Sequence, residues 1–116
     1  MNVEKIVEQT LLFDFYGELL TEHQRQIYED VVFNDLSLSE VAEERGISRQ
    51  GVHDMIRRCN KQLSDYEEKL RLVEKFVNTR AKVEQIHELA RRCGESGNVN
   101  LVAEIEAIAS EIVGEL

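Results

Sequence analysis

The chain has 116 residues, no proline, no tryptophan and two cysteines, and its 14 basic and 23 acidic side chains leave a net charge of −9. That length allows one domain, or one domain with an appendage. The acidity argues against a bulk nucleic-acid binder, whose whole domain is usually basic. No run of about 18 apolar residues exists, so no membrane insertion is expected, and the start MNVEKIVEQ lacks the basic and apolar regions of a secretory signal. Richness in Glu, Leu, Val, Ile, Lys and Arg without proline predicts an all-α fold with an ordinary core. Cys59 and Cys93 form no C-x-x-C and lie too far apart along a helix to be bridged, so a reduced, cytoplasmic protein is expected.

In chain order, Val3, Ile6, Val7 and Leu11 have helical spacing and predict an amphipathic helix to about Glu18. It ends in Phe13, Phe15 and Tyr16. The patch reads as core and helix-packing contacts or, since Phe13 and Phe15 cannot both face inward on one narrow stripe, as a partner or dimer surface. Gly17 ends or bends this helix. Thr21 with Gln24 forms a capping box for the next. That helix runs to about Phe33, with Leu20 stapled onto its start and Ile27, Val31 and Tyr28 inward. His23 is expected to be exposed and inert. Asn34 and Asp35 turn the chain over Leu36 and Leu38.

The stretch SLSEVAEERGISRQGVHDMIRR, residues 37–58, is the most informative. Ser37 and Glu40 form a second capping box. Val41 and Ala42 face inward, Gly46 stops the helix through the left-handed conformation, and Ser48 caps the following one. Val52, Met55, Ile56 and Cys59 give that following helix its inward face. These spacings are those of a helix-turn-helix, in which the second helix is the one offered to a major groove. Arg45 stands where an apolar residue is usual.

The outer face of the second helix presents Gln50, Asp54, Arg57, Arg58 and Lys61, with Arg49 and His53 at its flanks. Arg and Gln read guanine and adenine edges, and Arg and Lys grip phosphates. The free N–H groups behind Ser48 are a further phosphate contact. The nucleic-acid-binding candidates are therefore Ser48, Arg49, Gln50, His53, Arg57, Arg58 and Lys61. Asp54, in the middle of the face, opposes an anion. Charge along the chain points to the same region: residues 1–34 carry a net −5, residues 35–62 balance, residues 63–93 carry +1, and residues 94–116 have five acidic groups and no basic one.

From Ser48 to Cys93 the only helix-weakening residue is Gly51. A helix of that length would reach about 69 Å at ~1.5 Å per residue, far more than a small domain can cover. Either it breaks or a second copy covers it. Ile56, Leu63, Leu70 and Val77, with Cys59, Tyr66 and Val73, make three heptads of apolar seam, so a homodimer is expected. The seam changes phase to Val83, Ile86, Ala90 and Cys93, which predicts a break near Asn78 and Thr79. Gly94 to Gly97 is a loop. Asn98 or Asn100 caps a last helix with the stripe Leu101, Ile105, Ile108 and Ile112 and an acidic surface of Glu104, Glu106, Glu111 and Glu115.

The organisation expected is a helix-turn-helix domain over residues 1–62 and a helical extension, dimerising or partner-binding, over residues 63–116. No phosphate loop, H-E-x-x-H or G-x-S-x-G is present, so the chain reads as a non-enzyme without cofactor, metal or small-molecule substrate. The single Glu84-x-x-His87 pair lacks the second pair and carboxylates of a di-iron site.

FDFYGELLT at 13–21, residues 37–58 as quoted and YEEKL at 66–70 resemble the YlxM family, over roughly residues 1–75. The resemblance implies a small bacterial cytosolic protein with a helix-turn-helix like region 4 of sigma factors, associated with the signal recognition particle pathway. The partners it implies are the particle's GTPase, its small RNA, or DNA, with a dimeric DNA-binding transcriptional regulator as the alternative. Arg49, Gln50 and His53 match the family motif by position. Gly51 departs from it, alanine being expected there, and glycine inside a helix costs up to ~1 kcal/mol.

Overall fold

The computed structural model describes residues 3–116, with side chains described from Val7 onward. Among these residues there are helices and turns and no strand: α1 (Val3–Tyr16), α2 (Glu22–Tyr28) continuing through a π-helical stretch (Glu29–Phe33), α3 (Leu38–Arg45), α4 (Arg49–Leu70), α5 (Leu72–Ser96) and α6 (Asn100–Glu115). The inward roles expected of Val3 and Ile6 lie outside the described side chains. The chain divides into two compact units, one up to Val73 and one from Glu74 onward.

Local chemistry sets the boundaries in the first unit. Gly17 opens a 3-10 turn (Gly17–Leu19) after α1; a β-carbon there would sit 3.1 Å from the Phe13 ring. Both capping boxes form in full. Thr21 Oγ1 accepts from the Gln24 N–H at 3.2 Å and the Gln24 side chain accepts from Thr21 N–H at 3.0 Å. Ser37 Oγ accepts from Glu40 N–H at 3.0 Å, and the Glu40 carboxylate accepts from Ser37 N–H. Each box satisfies donors that a helix start leaves orphaned. Gly46 stands at φ 68 after α3, where the missing β-carbon removes the steric cost of the left-handed conformation.

Two adjoining clusters form the core of this unit. Ile27, Val41, Ala42 and Val52 are buried together beneath α2, α3 and α4, with Ile47, Met55 and Ile56 against them. Leu12, Tyr16, Leu20, Tyr28, Cys59, Leu63 and Val73 form the second. Phe13 stacks on Tyr28 at 5.5 Å between ring centroids, whereas Phe15 is exposed, the division that a single inward stripe demands.

The long helix does break, but at Arg71 rather than near Asn78. Arg71 takes φ 53 and its N–H bonds the Glu67 carbonyl. The first turn of α5 is then capped from two sides. The Tyr16 hydroxyl accepts from Leu72 N–H at 3.1 Å and donates to Glu67 Oε1 at 2.6 Å, and the same oxygen accepts from Val73 N–H at 2.9 Å. A carboxylate at a helix N-terminus is also favoured by the helix dipole. The heptad seam is consequently not one surface: Cys59, Leu63 and Val73 are buried within the chain, while Leu70 and Val77 lie exposed.

The second unit is a helical hairpin. Ile86, Leu89 and Cys93 of α5 and Ile105, Ile108 and Ile112 of α6 are only half-buried, and Leu101 is its one buried side chain. Lys82 joins the helices by pairing with Glu115 and, at 3.6 Å, with Glu111. The Asn98 side chain accepts from Asn100 N–H at 3.1 Å at the start of α6.

Candidate nucleic-acid interface

α4 owes its orientation to its periodicity. Val52, Cys59 and Leu63 are fully buried, so the residues half a turn away must face outward. Gln50, Arg57, Arg58 and Lys61 are exposed, as are Ser48, Arg49 and His53, and Asp54 is half-exposed. All seven candidate residues therefore lie on the accessible side of the second helix. Two shallow clefts follow that side: one of about 450 Å³ beside Leu38, Arg49, Gln50 and His53, and one of about 320 Å³ between Asp54, Arg57, Arg58 and Lys61.

Polar contacts sort the seven. Ser48 Oγ accepts from Gly51 N–H at 2.9 Å and is occupied as the helix cap. Gln50 Nε2 donates to Asp54 Oδ1 at 3.1 Å, and that oxygen lies 3.8 Å from His53 Nδ1. Lys61 pairs with Asp65 at 3.1 Å. Arg49, Arg57 and Arg58 make no hydrogen bond or ion pair among the described residues. Asp54 is thus engaged by its own neighbours, and among the described residues the three guanidinium groups keep every donor available. A guanidinium with five free donors suits phosphate oxygens or a guanine edge.

The scaffold beneath is tied together by side-chain hydrogen bonds. The Tyr28 hydroxyl donates to Asn60 Oδ1 at 2.7 Å, and burial, followed by the nearby Cys59, pushes that phenol up to about 12. Burial likewise raises the Cys59 thiol, which makes it a packing group rather than a nucleophile. Gln24 Nε2 donates to Gln62 Oε1 at 3.2 Å, tying α2 to α4.

Two roles escape sequence reasoning. Arg45, the residue out of pattern before Gly46, turns back to α2: Nη1 donates to Gln26 Oε1 at 3.1 Å and Nη2 pairs with Asp30 at 3.5 Å. The position therefore braces the first helix of the motif through polar contacts, and nothing in local spacing announces partners 15 and 19 residues upstream. The Tyr16–Glu67 cap is equally invisible, since its members are 51 residues apart.

A short capped helix, a left-handed glycine turn and a second helix with one buried and one cationic face define a helix-turn-helix protein. The family described as "Putative helix-turn-helix protein, YlxM / p13 like" matches residues 3–100. The chain belongs to this family. It is 40% identical over 108 residues to the UPF0122 protein YlxM of Bacillus subtilis, covering 93% of this chain and 96% of that one. It is 52% identical over 79 residues to a UPF0122 protein of Caldanaerobacter subterraneus, covering 68% of each. A third relative, from Acetivibrio thermocellus, is 46% identical over 84 residues, 72% of each chain. No helix among the described residues is long and apolar enough to cross a membrane.

Proposed function

We infer that the chain is a non-enzymatic accessory protein that binds nucleic acid through the outer face of α4. The observation that carries this reading is the presence of three guanidinium groups, Arg49, Arg57 and Arg58, without a partner among the described residues, on the exposed side of a helix-turn-helix second helix. Arg57 and Arg58, with Lys61 beside them, grip phosphates. Arg49, Gln50 and His53 sit at the start of the helix, where such motifs approach base edges. Ser48 sets the helix start, and its cap leaves the first turn pointing at the ligand.

The resemblance to the YlxM family carries the reading further, to the signal recognition particle pathway in the cytoplasm, with the particle's RNA as the ligand or its GTPase as the partner. The two free cysteines fit a reducing compartment. The overall charge of −9 favours a local, structured target over non-specific coating of duplex DNA. A homodimer belongs to the same reading, because two copies would present two α4 faces.

The second reading is a dimeric DNA-binding transcriptional regulator resembling sigma-factor region 4, and it is favoured by the half-turn of base-reading side chains at Arg49 and Gln50. Fluorescence anisotropy separates the two. The expected result is saturable binding to the particle's RNA at moderate salt, lost in Arg57→Glu/Arg58→Glu, with no preference among duplex DNA sequences. Tight binding to one DNA sequence selects the regulator. Binding to the GTPase alone, unaffected by the arginine variant, overturns the nucleic-acid reading.

A further inference from the structure

The hairpin from Glu74 onward has a second apolar surface. On α6, Leu101, Ile105, Ile108 and Ile112 point toward α5. At about 100° per residue, Val102, Ala109, Val113 and Leu116 fall together on one adjoining flank of that stripe. Val102 is 50% exposed, Val113 71% and Leu116 80%. On α5, Ile86 and Leu89 point toward α6, and Val83 and Ala90, seven residues apart, lie on the corresponding flank. Val83 is 51% exposed. In two antiparallel right-handed helices, residues displaced the same way from the shared seam come out on the same side of the pair. The two flanks therefore merge into one broad apolar surface. The opposite side of the hairpin carries the Lys82 pairs with Glu111 and Glu115.

Such a hairpin leaves most of its apolar side chains partly or fully open. Its one buried side chain is Leu101, too little apolar burial to offset the ordering of about 40 residues. Apolar stripes on both helices, with a further stripe beside each, are the pattern of a four-helix bundle from which one pair has been removed. We propose that this surface is the interface with a second copy of the same chain, the two hairpins closing into a four-helix bundle with α5 of each copy against α6 of the other. Charge argues for this occupant. Residues 74–93 hold five basic and three acidic groups, whereas residues 94–116 hold five acidic groups and none basic. Setting α5 of one copy beside α6 of the other joins opposite charges twice, as a two-fold axis requires. Setting α6 on α6 would repel. The Lys82 pairs already show this attraction within one copy.

This assignment gives a location to the homodimer of the proposed function and does not depend on what α4 binds. Sedimentation velocity of the full chain tests it, with Val102→Lys/Val113→Lys and, on the other helix, Val83→Glu as variants, each adding the charge that the facing helix of the other copy already carries. All three positions are half or more exposed in the single chain, so helical content by circular dichroism should stay unchanged. The wild type is expected to sediment as a dimer and both variants as monomers, a twofold fall in mass. A wild type that stays monomeric at its highest soluble concentration overturns the proposal, and so do variants that remain dimeric. The same samples keep this separate from the ligand question. Arg57→Glu/Arg58→Glu should stay dimeric while losing nucleic acid, and the monomeric variants should retain the per-copy contacts of α4. A dimer that binds no nucleic acid would remove the proposed function and leave this interface standing.

Discussion

The two units of the chain are both built from helices and reach different degrees of closure. Up to Val73, four helices enclose Tyr16, Ile27, Tyr28, Val41, Val52, Cys59 and Leu63, all under 2% exposed. From Glu74 onward, two helices with apolar stripes enclose one side chain. A stripe on a helix states that something must cover it and leaves open what the cover is. In the first unit the cover is the chain's own: α1 lies over the seam of α4 at Cys59 and Leu63. In the second there are too few elements, and the remaining apolar surface turns outward.

Substitutions that probe this contrast should differ in size. Leu63→Ala, at the centre of the first unit, should cost ~3 kcal/mol by denaturant unfolding, within the usual range for a buried leucine, whereas Val83→Ala in the second should cost less than about 1 kcal/mol in the monomer. Equal losses would mean that the hairpin is as tightly packed as the helix-turn-helix unit. Alkaline pH should also act on the first unit. The Tyr28 phenol titrates near 10 when unfolded and near 12 when folded. Its stabilisation is thus complete below about pH 10 and is lost as pH rises toward 12, an effect of roughly 2–3 kcal/mol. Tyr16 is shifted the same way, by burial first and then by its bond to Glu67. Melting temperature followed from pH 9 to 12 should fall steeply in the wild type and more gently in Tyr28→Phe.

At the junction, Tyr16→Phe removes the acceptor of Leu72 N–H and the donor to Glu67. A loss of about 1–2 kcal/mol is expected, with faster amide exchange at Leu72 and Val73; exchange unchanged there would mean the cap does not hold α5. The smallest effect is at Gly51. An alanine β-carbon would lie 3.1 Å from Ser48 Oγ, close enough to shift the serine by a few tenths of an ångström. The helix-propensity gain of up to ~1 kcal/mol should outweigh that crowding, so Gly51→Ala should raise the melting temperature slightly.

What could be read ahead of the structure depended on range. The capping boxes at Thr21 and Ser37, the turn at Gly46 and the inward set Val52, Met55, Ile56 and Cys59 are decided within four or seven residues, and the fold bears them out. The all-helical class was legible in the composition, and the family in the resemblance of residues 13–21, 37–58 and 66–70. The break of the long helix was expected at Asn78 because the apolar phase shifts there. It falls at Arg71, because Tyr16 and Glu67 supply a ready-made cap for a new helix at Leu72, and that cap needs two residues far apart in the chain. The outward placement of Arg57 and Arg58 was also readable, being the complement of a buried stripe. The occupation of Gln50 by Asp54 and of Lys61 by Asp65 was not, since i and i+4 partners on an exposed face form only when rotamers and solvent allow.

The most direct test of α4 as the nucleic-acid surface is the salt dependence of binding to the particle's RNA, compared between wild type and Arg57→Gln/Arg58→Gln. Each phosphate contact contributes roughly 0.7–0.9 to the slope of log affinity against log salt. The double variant should therefore bind more weakly with a slope smaller by about 1.4–1.8, at unchanged fold by circular dichroism. A variant with the wild-type affinity and slope would place the contact elsewhere and contradict the account.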